Sequence, residues 1–150
     1  MVNSDEMFDR FVEMYRNINL PFWIQSRAET ITPYRAKKLK EIGCHRANIG
    51  LEHGNEAFRR TVINKKFDNQ TIIDASKALA DAGIPLTVNN IIGFPDETRD
   101  LIFDTIELNR KLTVDTTNVA VFAPFHGTLL RQVSLEKGYI SDDFICGPPN

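Results

Sequence analysis

Residues 86–98 have the sequence LTVNNIIGFPDET, which joins an apolar run to a sharp turn. The first seven residues are mostly apolar or β-branched, as is typical of a buried strand. Gly93 and Pro95 end that run, because glycine and proline interrupt regular strands. A helix then begins at Asp96 or Thr98 and extends to residue 112. The stretch therefore predicts one strand–turn–helix unit.

The same alternation extends in both directions from this unit. Strands are predicted at 22–26, 46–51, 86–92 and 117–123, and helices at 4–18, 33–42, 55–63, 68–82, 98–112 and 127–137. Gly43 and Gly83 each follow a helical pattern and suit a left-handed helix end. Alternating strands and helices predict parallel strands that are joined by right-handed crossovers.

Composition excludes several classes of protein. The chain has 150 residues, 42% of them hydrophobic and 25% charged, with a formal net charge of −2. This size suits one domain, and the weak charge gives no signal for nucleic-acid or anionic-membrane binding. No apolar run approaches the ~20 residues that span a bilayer, and the start lacks a signal-peptide pattern, so a cytoplasmic location is predicted.

The cysteines and histidines offer no metal site. Cys44 and Cys146 are far apart and belong to no CxxC pair, which excludes a disulfide framework and a four-ligand metal centre. We interpret both as thiols with packing roles. His45, His53 and His126 lie in different segments, and we interpret them as hydrogen-bonded structural residues.

Each predicted strand ends in polar or glycine-bearing sequence. The four ends are QSRAE at 25–29, GLEHG at 50–54, GFPDET at 93–98 and PFHGT at 124–128. Ligands of parallel β/α folds bind beyond the carboxyl ends of the strands, so we expect one ligand-binding mouth at this rim. The alternative is that these segments are polar only because loops are exposed.

Glu52 is the strongest single candidate for a ligand-binding residue. It follows an apolar strand and lies between Gly50 and Gly54, which permit close approach of a ligand. Its carboxylate can accept hydrogen bonds from ribose hydroxyls or from an ammonium group. The alternative interpretation is an ion pair with a neighbour such as Arg27. The 93–98 turn can likewise be a ligand contact or only a capped helix start, and it matches neither GxGxxG nor GxxxxGK.

Together these strand ends resemble the radical S-adenosylmethionine superfamily, and most closely the members that often carry a cobalamin-binding domain ahead of the barrel. The matching segments are RAE at 27–29, IGLEHGNE at 49–56, IIGFPDET at 91–98 and VFAPFHGT at 121–128. They are similar, in order, to the family's third-strand "R-x-D/E" end, its fourth-strand "G-hydrophobic-E/Q-S/H-G" motif, its fifth-strand "IGFPGET" turn and its sixth-strand "P-x-x-G-T" ending. Asp96 stands where the usual turn has glycine.

The resemblance covers about residues 20–130 and implies an α/β fold, a partial TIM-like (β/α)6 barrel. The chain would supply strands three to six with their outer helices, so residues 1–150 would be the C-terminal portion of the barrel domain. The implied S-adenosylmethionine contacts are Glu29, Glu52, Lys65 or Lys66, Asn89, Gly93 and Pro95. In that scheme Glu52 and Asn89 bind the ribose, a lysine pairs with the methionine carboxylate, Glu29 contacts the amino group, and Gly93 and Pro95 shape the adenine-side turn.

The main departure concerns the iron–sulfur cluster. The family holds a four-iron four-sulfur cluster on CxxxCxxC after its first strand, and this sequence has no such motif. The resemblance therefore implies a fragment or truncated reading frame of a radical S-adenosylmethionine enzyme that acts on an unknown substrate. The isolated chain is expected to bind no cluster and to cleave no S-adenosylmethionine, and no catalytic residue is assigned.

Two other functions stay open from the sequence. The chain can be a non-catalytic β/α module that binds a ligand or partner, including a second copy, through its open sheet edge. It can also be another β/α barrel enzyme in which Glu29 and Glu52 form an acid–base pair.

Overall fold

A computed structural model describes residues 4–147; residues 1–3 and 148–150 of the predicted domain lie outside the described range. Its strands are β1 (Phe22–Ser26), β2 (Cys44–Glu52), β3 (Leu86–Ile92) and β4 (Thr116–Val121). Its α-helices are α1 (Asp5–Arg16), α2 (Pro33–Glu41), α3 (Glu56–Thr61), α4 (Asn69–Asp81), α5 (Arg99–Asn109) and α6 (Leu129–Glu136), and a 3-10 helix spans Ala28–Thr30.

The four strands form one parallel sheet in the order β1-β2-β3-β4. Ile49 of β2 lies beside Ser26 of β1 and Val88 of β3, so the three strands end at the same edge. This confirms the predicted α/β fold with parallel strands and outer helices. All carboxyl ends therefore meet along one edge, which we call the rim.

The core lies between the sheet and the helices. Ala47, Ile49 and Leu51 of β2 are fully buried, and they alternate with half-buried Asn48 and Gly50. The buried set packs in one cluster with apolar residues of α2 and α4. Because side chains of a strand alternate between faces, Asn48 and Gly50 lie on the face opposite this core.

Some predicted boundaries were wrong. Helix α5 begins at Arg99 with Thr98 as its cap, not at Asp96, and it ends at Asn109 rather than at residue 112, where two tighter turns follow. Strand β4 ends at Val121 rather than at residue 123, because its partner β3 already ends at Ile92. The 3-10 helix was not predicted, since three residues are too few to show a periodic pattern.

Both edges of the sheet are open in the described part of the chain. β4 is exposed along its whole length, and Val119 and Val121 point apolar surface outward. Self-association through these edges stays a prediction. Within residues 4–147, no helix has the length and apolar character needed to cross a membrane.

Gly54 provides a sharp test of the packing at the rim. A Cβ at this position would lie 2.3 Å from the Asp104 carbonyl oxygen and 2.4 Å from Thr105 Cα, which are backbone atoms of α5. Gly54→Ala should therefore lower the free energy of unfolding by about 3 kcal/mol in urea titrations, at the upper end for overpacking. Gly147→Ala is the control, because nothing lies within 4 Å of its Cβ. Equal stability of the two variants would contradict the packing described.

Candidate active site

Glu52 occupies a strained position at the end of β2. The pairing with β3 shifts register between Gly50 and Glu52, and Glu52 has φ of 67°. A left-handed non-glycine residue is unfavourable and is found where the surrounding structure enforces it, often at functional sites. The bulge turns the carboxylate back over Gly50, where an added Cβ would lie 2.2 Å from Glu52 Oε1. A side chain at position 50 would therefore displace the Glu52 carboxylate from this position.

Lys65 pairs with Glu52 at the end of β2, and we call the part of the rim formed by these two residues and Glu29 the corner. Its Nζ donates to Glu52 Oε1 at 2.7 Å and to the Gly50 carbonyl oxygen at 2.8 Å. Both side chains are largely shielded, with exposed fractions of 25% and 20%. Glu52 does form an ion pair, as the alternative interpretation expected, but its partner is Lys65 and not Arg27, which binds Glu29. Lys66, the other lysine predicted from the resemblance, is exposed.

Glu29 lies in the 3-10 helix that follows β1. Arg27 donates to Glu29 Oε1 from Nε at 3.1 Å and from Nη2 at 2.5 Å. Burial alone would raise the pKa of Glu29, but the Arg27 hydrogen bond and the charges of Arg27 and Lys65 outweigh it and lower that pKa. Because β1 and β2 are parallel neighbours, Glu29 after β1 and the Glu52–Lys65 pair at the end of β2 lie at the same rim.

Asn89 lies one strand further along. It is the register partner of Gly50 on β2 and of Asn118 on β4, and its Oδ1 accepts from Asn118 Nδ2 at 3.0 Å. Gly93 directly follows β3, has φ of 83° and begins the turn that contains Pro95. Both turn residues line a cavity toward β4. The predicted residues therefore form a corner at Glu29, Glu52 and Lys65 and a second group on β3 and its turn.

A buried pair that was not predicted joins these two groups. His53 Nε2 lies 3.0 Å from Glu97 Oε1, and the side chains are 0% and 1% exposed. The second Glu97 oxygen accepts the backbone N–H of Gly93. His53 follows Glu52 directly, so the pair ties the end of β2 to the turn after β3.

His53 is held in its neutral form, with Nε2 facing Glu97. Its Nδ1 accepts the backbone N–H of Asn55 at 3.0 Å, which leaves the hydrogen on Nε2, facing Glu97. Burial lowers the pKa of His53 and outweighs the opposing effect of the Glu97 charge. Buried Arg59 supports the same turn by donating to the His53 carbonyl oxygen at 2.6 Å. The interpretation of His53 as a hydrogen-bonded structural residue agrees with this geometry.

The two cysteines do not form a cluster-binding group at the rim. Cys44 is buried at the start of β2, the opposite end of the sheet. Among residues 4–147, no group of three or more His, Cys, Asp or Glu side chains has the arrangement of a metal site. The chain's own residues therefore do not fit a four-iron four-sulfur cluster.

The parallel sheet with outer helices defines a segment of a β/α barrel, a class of fold in which ligands bind at the carboxyl ends of the strands. The chain belongs to the radical S-adenosylmethionine superfamily, whose family model matches residues 2–108. This family uses S-adenosylmethionine together with a four-iron four-sulfur cluster.

Curated relatives with similar sequences are enzymes. An uncharacterized methyltransferase of Pyrococcus horikoshii is 32% identical over 123 residues, which is 82% of this chain and 27% of the relative. The biotin synthase of Carboxydothermus hydrogenoformans is 27% identical over 132 residues, 87% of this chain and 40% of the relative. The chain thus spans less than half the length of these relatives.

Solved structures share the fold. Coproporphyrinogen III oxidase from Escherichia coli, a radical S-adenosylmethionine enzyme, superposes with a TM-score of 0.70 at 17% identity over 97% of this chain and 33% of that chain. The methyltransferase TsrM from Kitasatospora setae, solved with cobalamin and a [4Fe-4S] cluster, gives 0.66 at 16% identity over 77% of this chain and 24% of that chain. These likenesses confirm the TIM-like barrel type of fold.

The lowered pKa of His53 predicts a specific pH dependence. An unfolded histidine takes up a proton near pH 6.5, before the folded one does, so the free energy of unfolding falls as the pH drops below about 6.5. His53→Gln keeps an N–H donor for Glu97 but cannot titrate. Its stability deficit relative to the wild type should narrow between pH 7 and pH 5 in urea titrations.

Exposed Met14 supplies the control, because Met14→Gln exchanges two side chains that do not titrate. The difference in the free energy of unfolding between Met14→Gln and the wild type should stay nearly constant over the same pH range. A deficit of His53→Gln that widens as the pH falls would mean that folding favours the charged imidazole, contrary to the account of the buried pair.

Proposed function

We propose that this chain is the later part of a radical S-adenosylmethionine enzyme and that its rim binds the cosubstrate. The observation that carries the proposal is the Glu52–Lys65 pair, which a bulge and a glycine hold at the end of β2. Glycine at position 52 would relieve the left-handed strain, so the presence of glutamate indicates a use for its carboxylate.

The pair retains capacity to bind a zwitterionic ligand. Lys65 uses two of its three N–H donors on Gly50 and Glu52, which leaves one for the carboxylate of the methionine moiety. Glu52 keeps an oxygen for the ribose hydroxyls. The paired charges hold each other in place before the ligand arrives, which lowers the entropic cost of binding.

The other residues extend this assignment around the rim. Asn89 presents an amide to the ribose, and Glu29, ionised beside Arg27, accepts from the amino group. Gly93 and Pro95 form the adenine-side turn, which the His53–Glu97 pair holds against β2. We assign the carboxylate contact to Lys65 in preference to Lys66, because Lys65 is the lysine that reaches Glu52.

The cluster belongs to residues outside this chain. When bound in such enzymes, it supplies the electron that cleaves the sulfonium and starts radical chemistry. The residues of this chain bind, orient and shield the cosubstrate. A preceding cobalamin domain and a cytoplasmic location stay predictions.

Reconstitution with iron and sulfide tests whether the cluster is held by residues outside this chain. The isolated chain, treated with iron and sulfide, should acquire no stoichiometric cluster by absorbance and should form no 5′-deoxyadenosine from S-adenosylmethionine. The reading frame extended to include a CxxxCxxC loop should do both under reduction. A stoichiometric cluster on the isolated chain would contradict the proposal, and an upstream sequence without such cysteines would favour a non-catalytic module.

Substitutions at the corner test the assigned contacts. In the cluster-bearing enzyme, Lys65→Met and Glu52→Gln should each raise the Kd for S-adenosylmethionine by about 10- to 100-fold, the cost of a lost charge-assisted hydrogen bond. Lys66→Met is the matched control and should leave the Kd unchanged in equilibrium dialysis. An effect at Lys66 but not at Lys65 would refute the assignment.

A further inference from the structure

The end of the described chain forms a unit of its own. The Arg131 guanidinium is almost fully buried and donates to the carbonyl oxygens of Pro124 at 3.0 Å, Asp142 at 3.3 Å and Phe144 at 2.9 Å. One cation thus holds the beginning and the end of the segment together. We call residues 124–147, which include α6, the C-terminal lobe.

The lobe contacts the rim at Asp96. One oxygen of this carboxylate accepts from the Tyr139 hydroxyl at 2.8 Å, and the other binds the Lys137 ammonium. Between the lobe and the 93–97 turn lies a cavity of about 420 Å³, with Pro95 on one side and Tyr139 and Phe144 on the other. The lobe therefore covers the turn and leaves space beneath it.

The backbone at Asp96 is unusual for an aspartate. Its φ of 62° is left-handed, a conformation that suits glycine and costs other residues energy. Aspartate tolerates it better than most residues but gains nothing from it. Its two contacts with the lobe give the side chain a role that glycine cannot fill.

The contacts of Asp96 with Lys137 and Tyr139 are weak enough to break, so that the lobe can move away from the rim. The side chains of Lys137 and Asp96 are 45% and 52% exposed, and ion pairs at such positions are weak and are screened by salt. Hydrogen bonds within the lobe, by contrast, are centred on buried Arg131. The lobe can therefore leave the rim as a unit without coming apart.

We propose that Asp96 is a positioning residue that latches the C-terminal lobe over the 93–97 turn and so controls access to this side of the rim. Asp96 acts through Lys137 and Tyr139 and touches no reacting atom. The identity of the ligand beneath the lobe rests on the proposed function, whereas the latch itself does not.

Backbone ¹⁵N relaxation dispersion of the full 150-residue chain tests the latch without cluster or cosubstrate, because opening of a lobe as a unit belongs to the μs–ms range. At low salt, α6 should show as little exchange broadening as β3. Asp96→Asn, which keeps an acceptor for Tyr139 but loses the charge, and Lys137→Gln should produce relaxation dispersion in α6 and leave β3 unchanged. Salt at 1 M should do the same to the wild type and add little to either variant.

Two controls make the result specific. Lys137→Arg keeps the charge and should restore the wild-type relaxation profile of α6. Glu107→Gln breaks an exposed ion pair with Arg110 elsewhere on the surface and should change nothing in the lobe. An unchanged relaxation profile of α6 in Asp96→Asn and Lys137→Gln, or exchange broadening that extends into β3, would overturn the proposal. Because no ligand is present, this outcome is independent of whether the chain binds S-adenosylmethionine.

Discussion

The buried contact between the His53 imidazole and the Glu97 carboxylate fixes the relative positions of two rim segments. Burial of an ionisable pair is costly unless its polar groups find partners. His53 Nε2 and Glu97 Oε1 depend on their mutual contact at 3.0 Å, because no hydrogen bond reaches either atom within the described chain. Asn55 satisfies Nδ1 of the imidazole, and Gly93 occupies the second carboxylate oxygen. Removal of either partner would leave a buried polar group unmatched, so the two turns are held in one arrangement.

That arrangement places the strained backbone of Glu52 at the rim, where its carboxylate is available to a ligand. Glu52 directly precedes His53, and its left-handed backbone follows from the bulge in β2. The carboxylate therefore points over Gly50 toward Lys65 instead of continuing along the strand. A rigid core of Ile49, Leu51 and their neighbours supports this local strain, since tightly packed strands resist relaxation.

The sequence predicted the strands because their apolar runs have clear ends. The predicted bounds of β1 and β3 agree with the structure to the residue, since Pro21 and Gly93 interrupt the chain beside them. Parallel topology followed from the alternation of elements, and the ordered strand ends carried the family resemblance. Glu52 itself was identified from its place between two glycines after an apolar strand.

Contacts between distant segments were not predictable in the same way. No local pattern distinguishes Lys65 from Arg27 as the partner of Glu52, because the choice depends on how the chain after α3 folds back. The His53–Glu97 pair links two turns that are separated by a whole βα unit, and a lone histidine carries no signal for it. Its one hint was that both residues lie in rim turns whose strands are adjacent in a parallel sheet.

The most direct test of the account is a titration of the ¹⁵N-labelled chain with S-adenosylmethionine, followed through backbone amide chemical shifts. Because the rim is preformed, the largest changes should occur at residues 50–53, at Lys65 and at residues 89–97, and they should saturate together. No change up to millimolar ligand, or changes confined to the helix-covered side of the sheet, would contradict the assignment of the rim as the cosubstrate site.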